Sequence, residues 1–381
     1  MLDKIKESFS WKKIKSNKKI PLVYSIIFGF ILSSFILIII GTNPFSLMGK
    51  IMDKSFRNTR ALVQFIQEFS LYLLLGIASF FSIKVGFFNL GAPGQIIFSG
   101  MIATLFALHT NSLPGALHVI LTTLIAILSA IVYILLAALI KIFLGINDIV
   151  ATILLNWIAL EMLKAIYFNT SAFSDNPQRI DTSTPDIPNT ADWIINSIKM
   201  DDLAFTVTIF ISIIVLMSLW LVFKYTKIGY KINVTGKNER ASYIVGNNTK
   251  KITLISVLIS GAVIGLFVMG WYFGKNTSMS DIQNSSPSAM GFNGIIVYII
   301  GGESMMGMIL SSLLITLLQG PGSENLIGIP ANISQIFIAV IIYTVAISKV
   351  FENWYNIKDW MVKKYKWFID KVVRRKKVKN V

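Results

Sequence analysis

The sequence predicts an all-α, polytopic membrane protein with about ten transmembrane helices. Three observations predict it. Hydrophobic residues make up 54% of the chain and charged residues only 14%, where a soluble domain carries nearer a quarter charged. Several apolar stretches reach about 20 residues, enough to cross a hydrocarbon core about 30 Å thick. The formal net charge of +16 is concentrated in two tails and one loop, which suits the positive-inside rule better than a nucleic-acid surface. No nucleic-acid partner is therefore expected.

The spans fall at roughly 20–40, 61–83, 95–109, 113–143, 147–168, 203–223, 252–272, 290–301, 303–319 and 329–349. The first follows seven lysines within twenty residues. It is too long for a signal-peptide core, and no small-residue cleavage site follows Gly41, so it reads as a retained anchor. The third and eighth are short and read as half-helices or buried segments rather than full crossings. A transmembrane domain over 20–350 is thus flanked by basic tails at 1–19 and 351–381.

Loop charge orients the chain. Residues 1–20 hold seven Lys and two acids, 224–251 hold seven Lys/Arg and one acid, and 349–381 hold eleven Lys/Arg and three acids. The loop 169–202 holds six Asp against Arg179 and Lys199. Ten spans put the basic regions and both termini inside and the acidic loop outside. That loop reads as a solvated outer segment or as a docking surface for an outside partner. The segment 46–60 carries four basic residues on the wrong side. It reads as an amphipathic surface helix with Leu47, Ile51 and Phe56 towards lipid. The basic tail 371–380 can bind anionic membrane lipid or stay solvated.

One stretch interrupts the helical pattern. "GFFNLGAPGQIIFSG" (86–100) puts glycines, a proline and an asparagine between long apolar runs, and "GFNGIIVYIIGG" (291–302) is a weak echo of it. Each follows one long span, and those two spans run in opposite directions, as in an inverted-topology repeat. Irregular backbone at membrane depth is tolerated where protein or a water-filled cavity satisfies its polar groups. Asn89 and Gln95 can line such a path, since each amide donates and accepts. The alternative is a tight turn in which the glycines serve packing.

Further polar candidates sit on spans two and five. Gln64, Gln67, Glu68 and Tyr72 fall on one helical face, either lining a pathway or marking a hydrated helix end. Asn156 and Trp157 lie near the midplane, where a purine or pyrimidine could stack on the indole and hydrogen-bond to the amide. Packing is the alternative for both. Glu161 and Lys164 are three apart and can neutralise each other.

The chain has no cysteine and two histidines, so disulfide, thiol, zinc and histidine-cluster chemistry are not expected. It also lacks the GxxxxGK[ST] pattern of a nucleotide-binding loop, and no catalytic triad or carboxylate pair is evident. The expectation is a non-enzyme that binds no cofactor.

"GFFNLGAPGQ" (86–95) resembles the signature of permease subunits of ATP-binding-cassette importers in the branched-chain amino acid and ribose superfamily. The nearest likeness is to nucleoside-importer permeases that work with a basic-membrane-lipoprotein receptor. "NDIVATILLNWIAL" (147–160) resembles the family's fifth span. "GYKINVTGKNERASYIVGNNTKKI" (229–252) resembles its cytoplasmic loop, with Gly229, Tyr230, Gly236, Asn238, Ala241 and Gly246 at the family's spacing. "ISGAVIGLFVMGWYFG" (259–274), the 291–302 segment and "GIPANISQIFIAVII" (328–342) follow in the family's order. The likeness covers roughly residues 20–350. Pro93 stands where the family usually has an acid, and Ser242 where a second alanine is common.

The resemblance implies ten helices, an inverted repeat and a coupling helix between spans six and seven. It implies a cytoplasmic ATPase that uses the ATP, a second related permease and an extracellular substrate-binding lipoprotein. The loop 224–251 is then the coupling loop. Within it Glu239, Arg240, Ala241 and Ile244 join the motif residues, with Ala241, Ile244 and Val245 pressing into the ATPase while Lys237 and Arg240 face acidic groups. An ordinary basic inner loop is the alternative. The expected cargo is a nucleoside, with ribose or galactose as the alternative. A secondary transporter or channel using Glu68 and Glu161 is a reading of another class, and a membrane scaffold a third.

Overall fold

The expected helices are present and in the expected order. The structure is a computed structural model describing residues 19–110, 113–169, 203–273, 287, 289–302, 304–320, 331–346 and 364. The two tails and most of the acidic outer loop lie outside these residues. The elements are α1 (Lys19–Ile39), α2 (Pro44–Phe56), α3 (Thr59–Lys84), α4 (Ala92–His109), α5 (Gly115–Leu144), α6 (Asp148–Asn169) and α7 (Leu203–Tyr225). They continue with α8 (Lys227–Lys237), α9 (Glu239–Ile244), α10 (Thr249–Val268), a π-turn (Met269–Phe273), a 3₁₀ turn (Ala289–Phe292), α11 (Asn293–Gly301), α12 (Met305–Gln319) and α13 (Ala331–Ala346). No strand occurs among the described residues. Among the described residues, five helices are long and apolar enough to cross a membrane, or up to seven if each of two bent pairs counts as one span.

Asparagine starts several of these helices. The side chains of Asn58, Asn238 and Asn248 accept hydrogen bonds from the N–H three residues on, opening α3, α9 and α10. Each satisfies one of the amides a helix start leaves unpaired. Gly145, at φ +66°, ends α5 in the left-handed conformation and returns its N–H to the Lys141 carbonyl at 3.1 Å, a conformation other residues adopt at a cost.

The chain divides into two units, residues 1–49 with 325–381, and residues 50–324. In the first, α1 packs on α13. The Phe30 and Phe337 rings meet edge to face at 5.5 Å, and Gly29 leaves no room for a side chain against Thr344. The second unit holds α3 to α12. There α3 and α10 pack on each other, α10 also packs on α4 and α5, and α3 on α11 and α12. The Ser256 hydroxyl of α10 donates to the Phe81 carbonyl of α3 at 2.6 Å. Each of these two helices packs against helices that follow the other, an exchange compatible with an internal repeat. The two echoing segments touch: a side chain on Gly291 would strike the backbone of Ala92 and Pro93.

Close approach is bought with small residues, as is usual between membrane helices. Gly261 and Gly265 bring α10 against the α5 backbone at Ile131 and Ile127. The π-turn continues α10 so that Tyr272 fills the space beside Gly100 of α4. At nine residues, α11 is about 14 Å long and too short to cross alone.

α2 departs from the expectation. Leu47 and Ile51 are fully buried, while Phe45, Met52 and Phe56 are exposed. The helix is amphipathic, but its aliphatic stripe faces protein instead of lipid.

Candidate functional site

The break after α3 is held by one face of α6. Asp148, Thr152 and Asn156 are spaced i, i+4 and i+8, so they form a stripe along the helix. Asp148 Oδ2 accepts the Phe88 N–H at 2.6 Å. Thr152 Oγ1 accepts the Leu90 N–H at 3.3 Å. Asn156 Oδ1 accepts the Gly94 N–H at 2.8 Å while its Nδ2 donates to the Leu90 carbonyl at 2.9 Å. From Asp148 to Asn156 the stripe rises about 12 Å, so the segment runs alongside two turns of α6 before α4 begins. These side chains replace the backbone partners a helix would have supplied, which a buried backbone requires.

Charge secures the start of this stretch. Lys141 Nζ lies 3.0 Å from Asp148 Oδ2 and donates to the Gly86 carbonyl at 2.9 Å. It also sits 5.2 Å from the centre of the Phe87 ring. One ammonium and one carboxylate thus bind the end of α5, the start of α6 and the residues after α3. Both are partly shielded from water, and a hydrogen bond to a charged group is worth about 1.5–3 kcal/mol.

The structure brings Asn89, Gln95 and Asn156 together. Asn89 Nδ2 donates to Gln95 Oε1 at 2.8 Å, and Asn89 Oδ1 accepts the Gly91 N–H at 2.9 Å. Gln95 Nε2 donates to the Ala130 carbonyl of α5 at 3.2 Å. All three are buried, and their amides brace the non-helical backbone between α3 and α4 and the first turn of α4. Trp157 is not with them. It is 47% exposed whereas Asn156 is buried, so the two neighbouring side chains meet different surroundings. The Glu161–Lys164 pair, at 3.2 Å, lies on the outer surface of α6 as well.

The span-two stripe points inward. Gln67, Glu68 and Tyr72 are buried and Gln64 is half-buried, which replaces the hydrated-end reading with a packed face. His118 also packs, its Nε2 lying 3.1 Å from the Ala107 carbonyl.

The coupling-loop candidates occupy α8, α9 and the turn after them. α7 and α8 form a bent pair at 75°, with Thr226 capping α8 by accepting the Gly229 N–H at 3.3 Å. Gly229 abuts the Phe223 backbone, and Gly236 abuts the Lys84 carbonyl at the end of α3. Neither place has room for a side chain. Ser242, the departure from the family pattern, is buried. Its hydroxyl lies 3.0 Å from that of Thr235 and accepts from Asn247 Nδ2 at 3.3 Å, tying α9 to α8. Gly246, at φ +88°, turns the chain towards α10.

What this frame presents outward is apolar and basic. Tyr243, Ile244 and Val245 are 71%, 83% and 79% exposed. Lys237, Asn238, Glu239, Arg240 and Ala241 are exposed with them, as is Tyr230 on α8. Three adjacent large apolar groups on a six-residue helix and its turn are expensive to leave in water, and exposed apolar patches mark contacts with protein or membrane.

Asp148, Thr152 and Lys141 were not among the sequence candidates. The i, i+4, i+8 spacing of Asp148, Thr152 and Asn156 was the available signal.

The chain matches the family described as "Branched-chain amino acid transport system / permease component" over residues 61–346, and it belongs to that family. It is therefore a multi-pass membrane permease component. It is 25% identical over 344 residues to the nucleoside ABC transporter permease protein NupB of Lactococcus lactis, covering 89% of this chain and 93% of that one. It is 25% identical to the guanosine ABC transporter permease protein NupP of Bacillus subtilis, covering 87% and 94%. A sugar relative, the glucose ABC transporter permease protein TsgB13 of Haloferax volcanii, is 22% identical over 84% of each chain. No solved structure matches the chain significantly.

Proposed function

We propose that this chain is the membrane-spanning permease subunit of an ATP-binding-cassette importer for nucleosides, and that α9 with its following turn is where the ATPase docks. The observation that carries the docking assignment is the exposure of Tyr243, Ile244 and Val245 on a helix moored to α8 through Ser242 and Thr235. α8 is itself seated on α3 at Gly236. A push on that patch passes through packed backbone into α3, the span that precedes the break at 85–91. Arg240 and Lys237 beside the patch suit an acidic rim on the partner.

The cargo reading is supported by NupB and NupP, which match nearly end to end. A monosaccharide is the second reading, favoured by the glucose permease relative. ATP hydrolysis belongs to a cytoplasmic ATPase, since no nucleotide-binding loop occurs in the sequence. A second related permease completes the pathway and an extracellular lipoprotein delivers the substrate. The basic tails and the 224–251 loop lie inside and the acidic 169–202 loop outside, by their charge. Asn89, Gln95 and Asn156 hold the shape of the pathway wall, Gln64 and Glu68 belong to its packed backing on α3, and Trp157 faces the second permease.

Uptake into proteoliposomes holding the whole importer tests this. Labelled nucleosides, ribose and glucose are offered with and without internal ATP. ATP-dependent nucleoside uptake is expected. Sugar uptake alone would replace the cargo, and uptake by this chain without the ATPase would replace the mechanism.

A further inference from the structure

A groove of about 330 Å³ opens between α3, α7, α8 and α12, where α7 gives way to α8. Ile77 and Phe80 of α3, Leu216 and Phe223 of α7 and Met308 of α12 give it apolar walls. Phe80 and Phe223 meet edge to face at 4.8 Å, which fixes the wall between α3 and α7. Lys224 and Tyr230, on either side of the α7–α8 bend, also line the groove and are both exposed.

That bend carries the marks of a membrane–water boundary. α7 exposes Phe210, Ile213, Ile214, Met217 and Leu221 along its length. Its character then changes within a turn, to Trp220, Lys224 and Tyr225. After the 75° bend α8 starts with Lys227, followed by Tyr230. Trp and Tyr gather at the level of lipid headgroups, and lysines near helix ends reach up to that level. Lys224 Nζ lies 4.6 Å from the centre of the Trp220 ring and 5.1 Å from that of Tyr225, so two aromatic faces hold the ammonium there. Lys224 and Lys227 have no carboxylate partner among the described residues. Lys227 and Tyr230 are three apart and share a face of α8, which brings the second ammonium beside the groove.

We propose that this groove is a binding site for an anionic phospholipid. Its phosphate is held by Lys224 and Lys227, and an acyl chain lies against Phe80, Leu216 and Phe223. Two ammonium groups without a carboxylate, at the end of an apolar groove between membrane helices, match a molecule with an anionic head and an apolar tail. The bilayer supplies such a molecule at this depth, and basic pockets between membrane helices hold anionic headgroups. Gly229 and Tyr230 of α8 form part of the wall, so occupancy and the position of α8 are linked. By reciprocity, whatever moves α8 changes the affinity for the lipid, and the lipid changes how readily α8 moves.

Photolabelling of the full chain in phosphatidylcholine nanodiscs tests this. Limiting phosphatidylglycerol or phosphatidylcholine with a photoactivatable acyl chain is the probe, and labelled peptides are mapped by mass spectrometry. The phosphatidylglycerol probe should label 77–81 and 216–223 well above the phosphatidylcholine probe. Both should label the exposed face of α5 at Leu124, Leu128 and Val132 alike. Lys224→Gln and Lys227→Gln, both surface changes, should each lower phosphatidylglycerol labelling of the groove about fivefold and leave the α5 labelling unchanged. Equal labelling of the groove by the two headgroups, or labelling indifferent to both lysines, would overturn the site. Displacement of the probe by soluble glycerol phosphate would reduce it to a phosphate site, and displacement by guanosine would give it to cargo; either would overturn the lipid. Amide exchange across 229–237 should slow when phosphatidylglycerol is added to the nanodisc. Unchanged exchange with the groove labelled would overturn the link to α8.

Discussion

Asn156 on α6 and Gly94 at the start of α4, 62 residues apart, are joined by a 2.8 Å hydrogen bond in which the side-chain amide oxygen accepts the glycine N–H. The same side chain donates to the Leu90 carbonyl. One amide therefore satisfies an N–H in the first turn of α4 and a carbonyl of the non-helical stretch before it. Asn156→Leu leaves both groups unpaired in a dry place and should cost about 2–5 kcal/mol. Thermal unfolding in detergent should show a clear fall in midpoint. Asn156→Gln, which keeps both groups on a longer arm, should fall less. Equal midpoints for wild type and Asn156→Leu would show that the segment is held by something else.

Lys141 and Asp148 act as one unit on the residues following α3. Removing either strands the other beside backbone it was bonded to, so Lys141→Met and Asp148→Ala should each destabilise by roughly 2–3 kcal/mol. The double variant should be less damaging than the sum, by about 0.5–3 kcal/mol. Strict additivity in a double-mutant cycle would mean the 3.0 Å pair contributes nothing.

Gly291 and Pro93 mark where the two echoing segments meet. Gly291→Val inserts a branched side chain where even a methyl group has no room, and overpacking of this kind costs about 1–3 kcal/mol. The expected result is a less stable protein with lower uptake. Unchanged stability would place the two segments farther apart.

Ser242 ties the two coupling helices together through Thr235 and Asn247. Ser242→Ala removes that tie while leaving the exposed patch intact, at a cost of about 1–2 kcal/mol. Amide exchange should accelerate over residues 235–247. ATPase binding should persist with uptake reduced, because a looser helix transmits less of the push. Exchange at wild-type rates would show that backbone packing alone holds α9.

Much of this was legible from the residues. The long apolar runs gave the helices in order, because a membrane demands length and hydrophobicity that few other contexts require. The Gly-Pro-Asn cluster at 86–95 gave the break, since those residues punctuate helices. Its supports stayed hidden because they come from side chains about 60 residues on, and a local reading weighs Asp148 only as a helix start. Burial also misled: the stripe of Gln64, Gln67, Glu68 and Tyr72 looks the same whether it faces a water path or a packed neighbour. The exposure of Ile244 and Val245 was foreseeable in kind, because apolar residues in a basic loop need a partner. The tie through Ser242 was not, since a serine where alanine is common says nothing of what it touches.

The most direct measurement uses the absence of cysteine from this chain. Ile244→Cys and, separately, Ile158→Cys on the exposed face of α6 each supply this chain with a single thiol, which is labelled before the importer is assembled. A short photoactivatable cross-linker on position 244 should capture the ATPase subunit, with a yield that changes when ATP is added, while position 158 should not capture it. Capture of the ATPase from 158 and none from 244 would contradict the assignment of α9 and its turn as the coupling contact.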